Sequence, residues 1–128
     1  MTDYVVDTHA WIEYLIGSEK GEKIRKVVED NLNNIFTSIV SLAEIVSIIK
    51  RENHDFNAAY YKVITLSKLT GVSPEYCKEV GIIHAEMRKK IKDFGLADAF
   101  VLLAAKKLNA KILTGDKHFK GIKEAIII

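Results

Sequence analysis

Asp7 closes a short apolar run, Tyr4-Val5-Val6, and is followed by Thr8 and His9. Runs of this length bounded by polar residues read as buried strands. An acid directly after such a run lies at the carboxyl end of the strand, where open α/β sheets bind their ligands. Glu44 shares a helical stripe with Val40 and Ile48, four residues to either side. A carboxylate on an apolar stripe is costly unless it is paired, protonated or bound to a cation. Asp98 falls in the first turn of a helix, with apolar Val101 and Leu102 one turn on, so it points into a crevice. Asp116 follows Ile112-Leu113-Thr114-Gly115, just beyond a strand. Thr8 and Thr114 each stand at a strand end beside an acid, where a hydroxyl can orient a carboxylate or a water.

Each acid also has an ordinary explanation. Asp7 can cap the helix that follows it. Glu44 can pair with a lysine. Asp98 suits the positive end of its helix, and an Asp after Gly beyond a strand is common turn chemistry. Taken together they say more. Four clustered carboxylates repel one another unless a cation offsets the charge or some stay protonated. All-oxygen ligands suit Mg²⁺ or Mn²⁺, which keep several waters and take further ligands from substrate phosphate. Two such ions about 3.5–4 Å apart activate a water and stabilise the leaving oxygen of an in-line displacement. The expected chemistry is phosphodiester hydrolysis. No Cys or His spacing resembles a zinc site. His9, His54, His84 and His118 are scattered, with His84 read as a packing or surface residue. There is no glycine-rich phosphate loop and no nucleophile elbow.

The elements that must position these acids alternate between strand and helix. Strands are expected at Asp3 to Asp7, Ile35 to Ser38, Lys111 to Thr114 and Ala125 to Ile128, with a short extended segment at Leu69 to Val72. Helices are expected at Ala10 to Ile16, Glu22 to Leu32, Ile39 to Glu52 after a Ser38 cap, and Phe56 to Lys68 after an Asp55 cap. Ser73-Pro74-Glu75 starts another helix that runs to Ile91. Leu96 to Leu108 forms the last, and Gly115 to Gly121 reads as a polar loop. This alternation implies an α/β fold with a mostly parallel sheet and helices on both faces. The helix from Ile39 is apolar nearly all round, which suits burial or another subunit.

Composition narrows the setting. The chain has 128 residues, which argues for one domain across 1–128, and an ordinary 48% of hydrophobic residues. Its one cysteine, Cys77, rules out an internal disulfide and suits a reducing cytosol. The longest apolar run, Ala99 to Ala105, is far too short to span a membrane. Asp3, Asp7 and Glu13 argue against a signal peptide, so a cytoplasmic protein is expected. The net charge of +2 alone predicts no nucleic-acid binding. From Glu86 to Lys123, however, ten Lys or Arg stand against four Asp or Glu, a local balance of +6 able to steer a polyanion.

The chain resembles the PIN-domain ribonucleases, and within them the VapC-type toxins of prokaryotic toxin–antitoxin pairs. Four pieces carry the resemblance: Val6-Asp7-Thr8-His9, Leu42-Ala43-Glu44-Ile45, Leu96-Ala97-Asp98-Ala99 and Leu113-Thr114-Gly115-Asp116-Lys117-His118-Phe119. Their order and spacing, more than any single piece, make the signal, which covers essentially the whole chain. The resemblance implies a three-layer α/β/α fold and Mg²⁺- or Mn²⁺-dependent cleavage of single-stranded or structured RNA. It implies a homodimer silenced by a cognate antitoxin. It assigns Asp7, Glu44, Asp98 and Asp116 as metal-holding acids and Thr114 as a helper. His118 departs from the pattern, since many relatives carry a further acid there, and the number of ions is left open.

Lys117, Lys120, Arg88 and Lys90 are the basic residues expected to meet phosphate. Two other readings compete. A non-catalytic module of the same fold could use its acidic pocket to bind a basic partner segment. A phosphatase-like hydrolase could use Asp7 as nucleophile, but haloacid-dehalogenase enzymes need a second Asp two residues later, where this chain has His9.

Overall fold

The computed structural model describes residues 2–128. Five strands, β1 (Asp3–Val6), β2 (Asn34–Ser38), β3 (Lys68–Thr70), β4 (Lys111–Thr114) and β5 (Ala125–Ile127), form one sheet in the order β3-β2-β1-β4-β5. All four pairings are parallel, so the sheet is more regular than the mostly parallel one expected. Six helices cover it: α1 (Thr8–Ile16), α2 (Glu19–Val28), α3 (Ile39–Arg51), α4 (Phe56–Leu66), α5 (Pro74–Arg88) and α6 (Leu96–Leu108). The α/β/α layering expected from the sequence is present.

The period of two along a strand divides the core. Val6, Ile35 and Leu113 face one side and pack with Trp11, Ile24, Ile45 and Val63 of α1 to α4. Val5 and Ile112 face the other and pack with Val80 of α5 and Ala99, Leu102 and Ala105 of α6. The strand order reverses between β1 and β4. Crossovers lead from β1 through β2 to β3 on one side, then back across the sheet through α5 and α6 to β4. Such a switch point opens a crevice at the carboxyl ends of the two strands.

Several boundaries differ from expectation. α1 begins at Thr8 rather than Ala10, because Asp7 caps it and its carboxylate accepts from Ala10 N–H. α2 spans Glu19–Val28 rather than Glu22 to Leu32. Ser18 caps it, and Gly21 lies inside it, where the missing side chain lets α2 press on the backbone of α1: a Cβ there would come within 2.1 Å of the Glu13 carbonyl oxygen. α5 stops at Arg88 instead of Ile91, and the polar loop after β4 holds a 3₁₀ turn at Lys117–Phe119 capped by Asp116. The helix from Ile39 buries Ser41, Leu42, Ile45 and Ile49 and leaves Val40, Val46 and Ile48 half-buried. No helix among the described residues is long and apolar enough to cross a membrane.

Candidate functional site

Asp7, Glu44, Asp98 and Asp116 line one cleft of about 340 Å³, together with Thr8, His9, Ser41, Asp93 and His118. The cleft opens at the switch point. The β1–β4 register pairs Val6 with Leu113, and Asp7 N–H continues the ladder to the Leu113 carbonyl (3.1 Å). That contact sets Asp7 beside Thr114 across the two strand ends. Four acids that lie far apart along the chain therefore share one pocket.

Asp7 is the deepest, 4% exposed. Its Oδ1 accepts from Ala10 N–H (2.9 Å), and its Oδ2 accepts from the Thr114 hydroxyl. Cap and site residue are thus one side chain. Burial pushes its carboxyl up to about 6, against the lowering pull of the Thr114 and Ala10 hydrogen bonds. Thr114 is fully buried and also accepts from Asp116 N–H (2.8 Å), so one hydroxyl fixes two acids.

Asp98 accepts from the Gly95 N–H that precedes α6 (2.8 Å), the reaching-back half of a capping box. Burial raises its carboxyl as well, with the nearby Asp116 charge adding to the effect. Asp116 Oδ1 accepts from His118 N–H (2.8 Å), which closes the 3₁₀ turn. Glu44 reaches the cleft from α3, where its Oε1 accepts from the Thr8 hydroxyl (2.7 Å). Its companions on the stripe, Val40 and Ile48, are half-buried, and Ile48 forms part of the cleft wall. Both threonines orient carboxylates as expected, although Thr8 serves Glu44 rather than its neighbour Asp7.

Of the other residues of the cleft, the sequence marked His118 only as a departure from the family pattern, and it did not assign His9, Ser41 or Asp93 to the site. His118 Nδ1 lies 3.2 Å from Asp98 Oδ2 and 3.3 Å from Asp116 Oδ1. His9 Nε2 stands at the mouth, 3.9 Å from Asp116 Oδ2. Ser41 and Asp93 complete the wall. Ser41 follows Ser38 by three residues and precedes Glu44 by three, so helical periodicity places it on the Glu44 face. Asp93 gives no such signal. His84 donates through Nε2 to the Phe94 carbonyl (3.1 Å), the packing role expected of it.

None of Arg88, Lys90, Lys117 and Lys120 lines the cleft. All four are exposed. Lys117 and Lys120 flank His118 on the 3₁₀ turn and its exit, while Arg88 and Lys90 lie where α5 ends, ahead of Asp93 and Gly95 in the wall. No Lys or Arg forms a salt bridge with any of the four acids among the described residues.

The PIN domain family model matches residues 4–125. The chain belongs to the PIN domain family. No curated protein sequence matches it. Among solved structures, this PIN domain is similar to the sarcin–ricin loop cleaving toxin VapC20 of Mycobacterium tuberculosis, at 17% identity and a TM-score of 0.71, covering 94% of this chain and 97% of that one. It is similar to a toxin–antitoxin complex from Klebsiella pneumoniae, at 16% identity and 0.68, covering 96% and 95%. VapBC2 of Rickettsia felis, bound to a DNA fragment from its promoter, gives 16% and 0.65, covering 99% and 98%. At these identities the likeness concerns the fold.

Proposed function

We propose that this PIN domain is a divalent-metal-dependent endoribonuclease of the VapC type, the toxin of a toxin–antitoxin pair. The observation that carries the reading is the convergence of Asp7, Glu44, Asp98 and Asp116 on one cleft at the carboxyl edge of the sheet. The residues present fit a hard cation. They offer carboxylate oxygens, and no Lys or Arg among the described residues neutralises them. Asp7 in particular is buried at a cost that a bound cation offsets.

In this reading Asp7 and Asp98 bind the main ion, and Glu44 and Asp116 complete its surroundings. The ion, Mg²⁺ or Mn²⁺, supplies Lewis-acid polarisation of the phosphoryl oxygen and a more acidic water. Thr114 holds Asp7 and the backbone of Asp116 in place, and Thr8 holds Glu44. Lys117, Lys120, Arg88 and Lys90 meet the RNA backbone outside the cleft, which makes binding weaken with salt. The substrate is single-stranded or structured RNA. The partners are a cognate antitoxin and a second copy of the chain, in the cytoplasm. The similar folds of toxins held in toxin–antitoxin complexes support this assignment.

The test is cleavage of varied RNAs in Mn²⁺ by wild type and Asp7→Asn, with Mn²⁺ uptake followed by calorimetry. Cleavage by wild type alone supports the reading. Equal activity in both, or cleavage of no RNA by either, overturns it, and an absence of Mn²⁺ uptake beside that inactivity favours the binding module.

A further inference from the structure

We infer that His118 is a nitrogen ligand in this cleft and biases it toward a transition-series cation over Mg²⁺. The inference rests on the metal-dependent reading above and specifies which ion the site selects.

Three ligand-bearing side chains, those of Asp98, Asp116 and His118, bring one donor atom each within 4.8 Å of the others. His118 Nδ1 lies 3.2 Å from Asp98 Oδ2 and 3.3 Å from Asp116 Oδ1. Metal–ligand bonds of about 2.0–2.2 Å place neighbouring ligand atoms roughly 3.0–3.5 Å apart in octahedral or tetrahedral surroundings. The imidazole nitrogen already stands at that spacing from each of the two carboxylates.

The ring is also held there. His118 N–H donates to Asp116 Oδ1 (2.8 Å), closing the 3₁₀ turn. The next residue, Phe119, is fully buried and stacks edge-on against Phe94, which anchors the turn to the core. Among the described residues the imidazole has no hydrogen-bonding partner other than these acids. A second observation points to an occupant. Ser41 is 1% exposed, lines the same cleft, and its Oγ has no hydrogen-bond partner. A buried hydroxyl left unpaired is costly, and a hydrated cation supplies the missing partner through one of its waters.

Mg²⁺ takes oxygen ligands and dehydrates reluctantly, so an imidazole adds little to its binding. Imidazole strengthens binding along the series from Mn²⁺ through Co²⁺ to Ni²⁺. A cleft of carboxylates plus one fixed imidazole therefore discriminates more sharply than carboxylates alone.

The experiment is calorimetric titration of wild type, His118→Asn and His118→Asp with Mg²⁺, Mn²⁺ and Co²⁺ separately, with the visible spectrum of bound Co²⁺ recorded in parallel. The expected result is that His118→Asn weakens Co²⁺ binding about tenfold or more while Mg²⁺ binding changes by less than about threefold. His118→Asp is expected to narrow the Co²⁺ preference by strengthening Mg²⁺, which keeps the test informative if the Asn variant folds poorly. Loss of nitrogen ligation also alters the Co²⁺ spectrum. Unchanged Co²⁺ affinity and spectrum in both variants overturn the inference and leave the nuclease reading intact. Selective Co²⁺ uptake without RNA cleavage supports the inference and overturns the nuclease reading. Absence of uptake of any ion overturns both.

Discussion

Replacing Asp7 with Asn separates the demands of the fold from those of the site. The Asp7 carboxyl rises from an ordinary 3.8 to about 6 because it is buried. A shift of about two units corresponds to about 3 kcal/mol. For an acid whose folded-state pKa is the higher one, the native state holds the proton between the two values. Stability from this group is therefore highest below about pH 4, falls as pH rises towards 6, and is fully lost by about pH 7. The variant keeps an acceptor for Ala10 N–H but deprives the Thr114 hydroxyl of its carboxylate, at about 1–2 kcal/mol. In chelator at pH 7.5, Asp7→Asn is thus expected to be more stable than wild type by about 1–2 kcal/mol, or roughly 3–8 °C in Tm. The advantage should shrink as pH falls from 6 to 4. Trp11, the single tryptophan and fully buried, reports unfolding by fluorescence. Saturating Mn²⁺ should reverse the order, since it stabilises only the protein that binds it, by about 2.7 kcal/mol at a hundredfold excess over Kd. A variant less stable than wild type in chelator at pH 7.5, or a difference independent of pH, would refute this reasoning.

Further outcomes follow from the same contacts. Thr114→Val removes the donor to Asp7 and the acceptor for Asp116 N–H, and should cost about 1–3 kcal/mol in urea denaturation and about 10–100-fold in ion affinity by calorimetry. Gly21→Ala forces a methyl against the backbone of Glu13 and should destabilise by about 1–3 kcal/mol. Gly81→Ala, in α5 with open space around it, should instead stabilise by about 0.5–1 kcal/mol, and both are read from thermal melts. If Lys117 and Lys120 meet phosphate, the double Ala variant should lower the salt slope of single-stranded RNA binding by about 0.7 per lysine. An unchanged slope would move the RNA path elsewhere.

The order of elements was legible because their punctuation is local. Ser38, Asp55 and Ser73 cap the helices they announced, and the strands fall close to the apolar runs. α2 starts at Glu19, ahead of the expected Glu22, and takes in Gly21, since a glycine ahead of a helix and a glycine packed within one look alike along the chain. Only its contact with Glu13 decides between them. The four acids were legible because each stands at a strand tip or on a helix stripe of telling polarity. Their mutual geometry was not. That Thr8 reaches Glu44, 36 positions away, or that His118 sits between Asp98 and Asp116, depends on sheet order and helix rotation, which no local pattern encodes.

The placement of β1 between β2 and β4 has a consequence for synthesis. Asp7 and Thr114, whose side chains meet, are 107 positions apart. The central strand stays half-paired while the chain is still growing, and the cleft gains its far wall only when α6, β4 and the turn after them have been made. A nascent or truncated product ending before that point carries two of the four acids and cannot assemble the pocket. The acidic pocket is in this way among the last features of the fold to be completed, and the order of synthesis itself delays whatever chemistry the four acids perform.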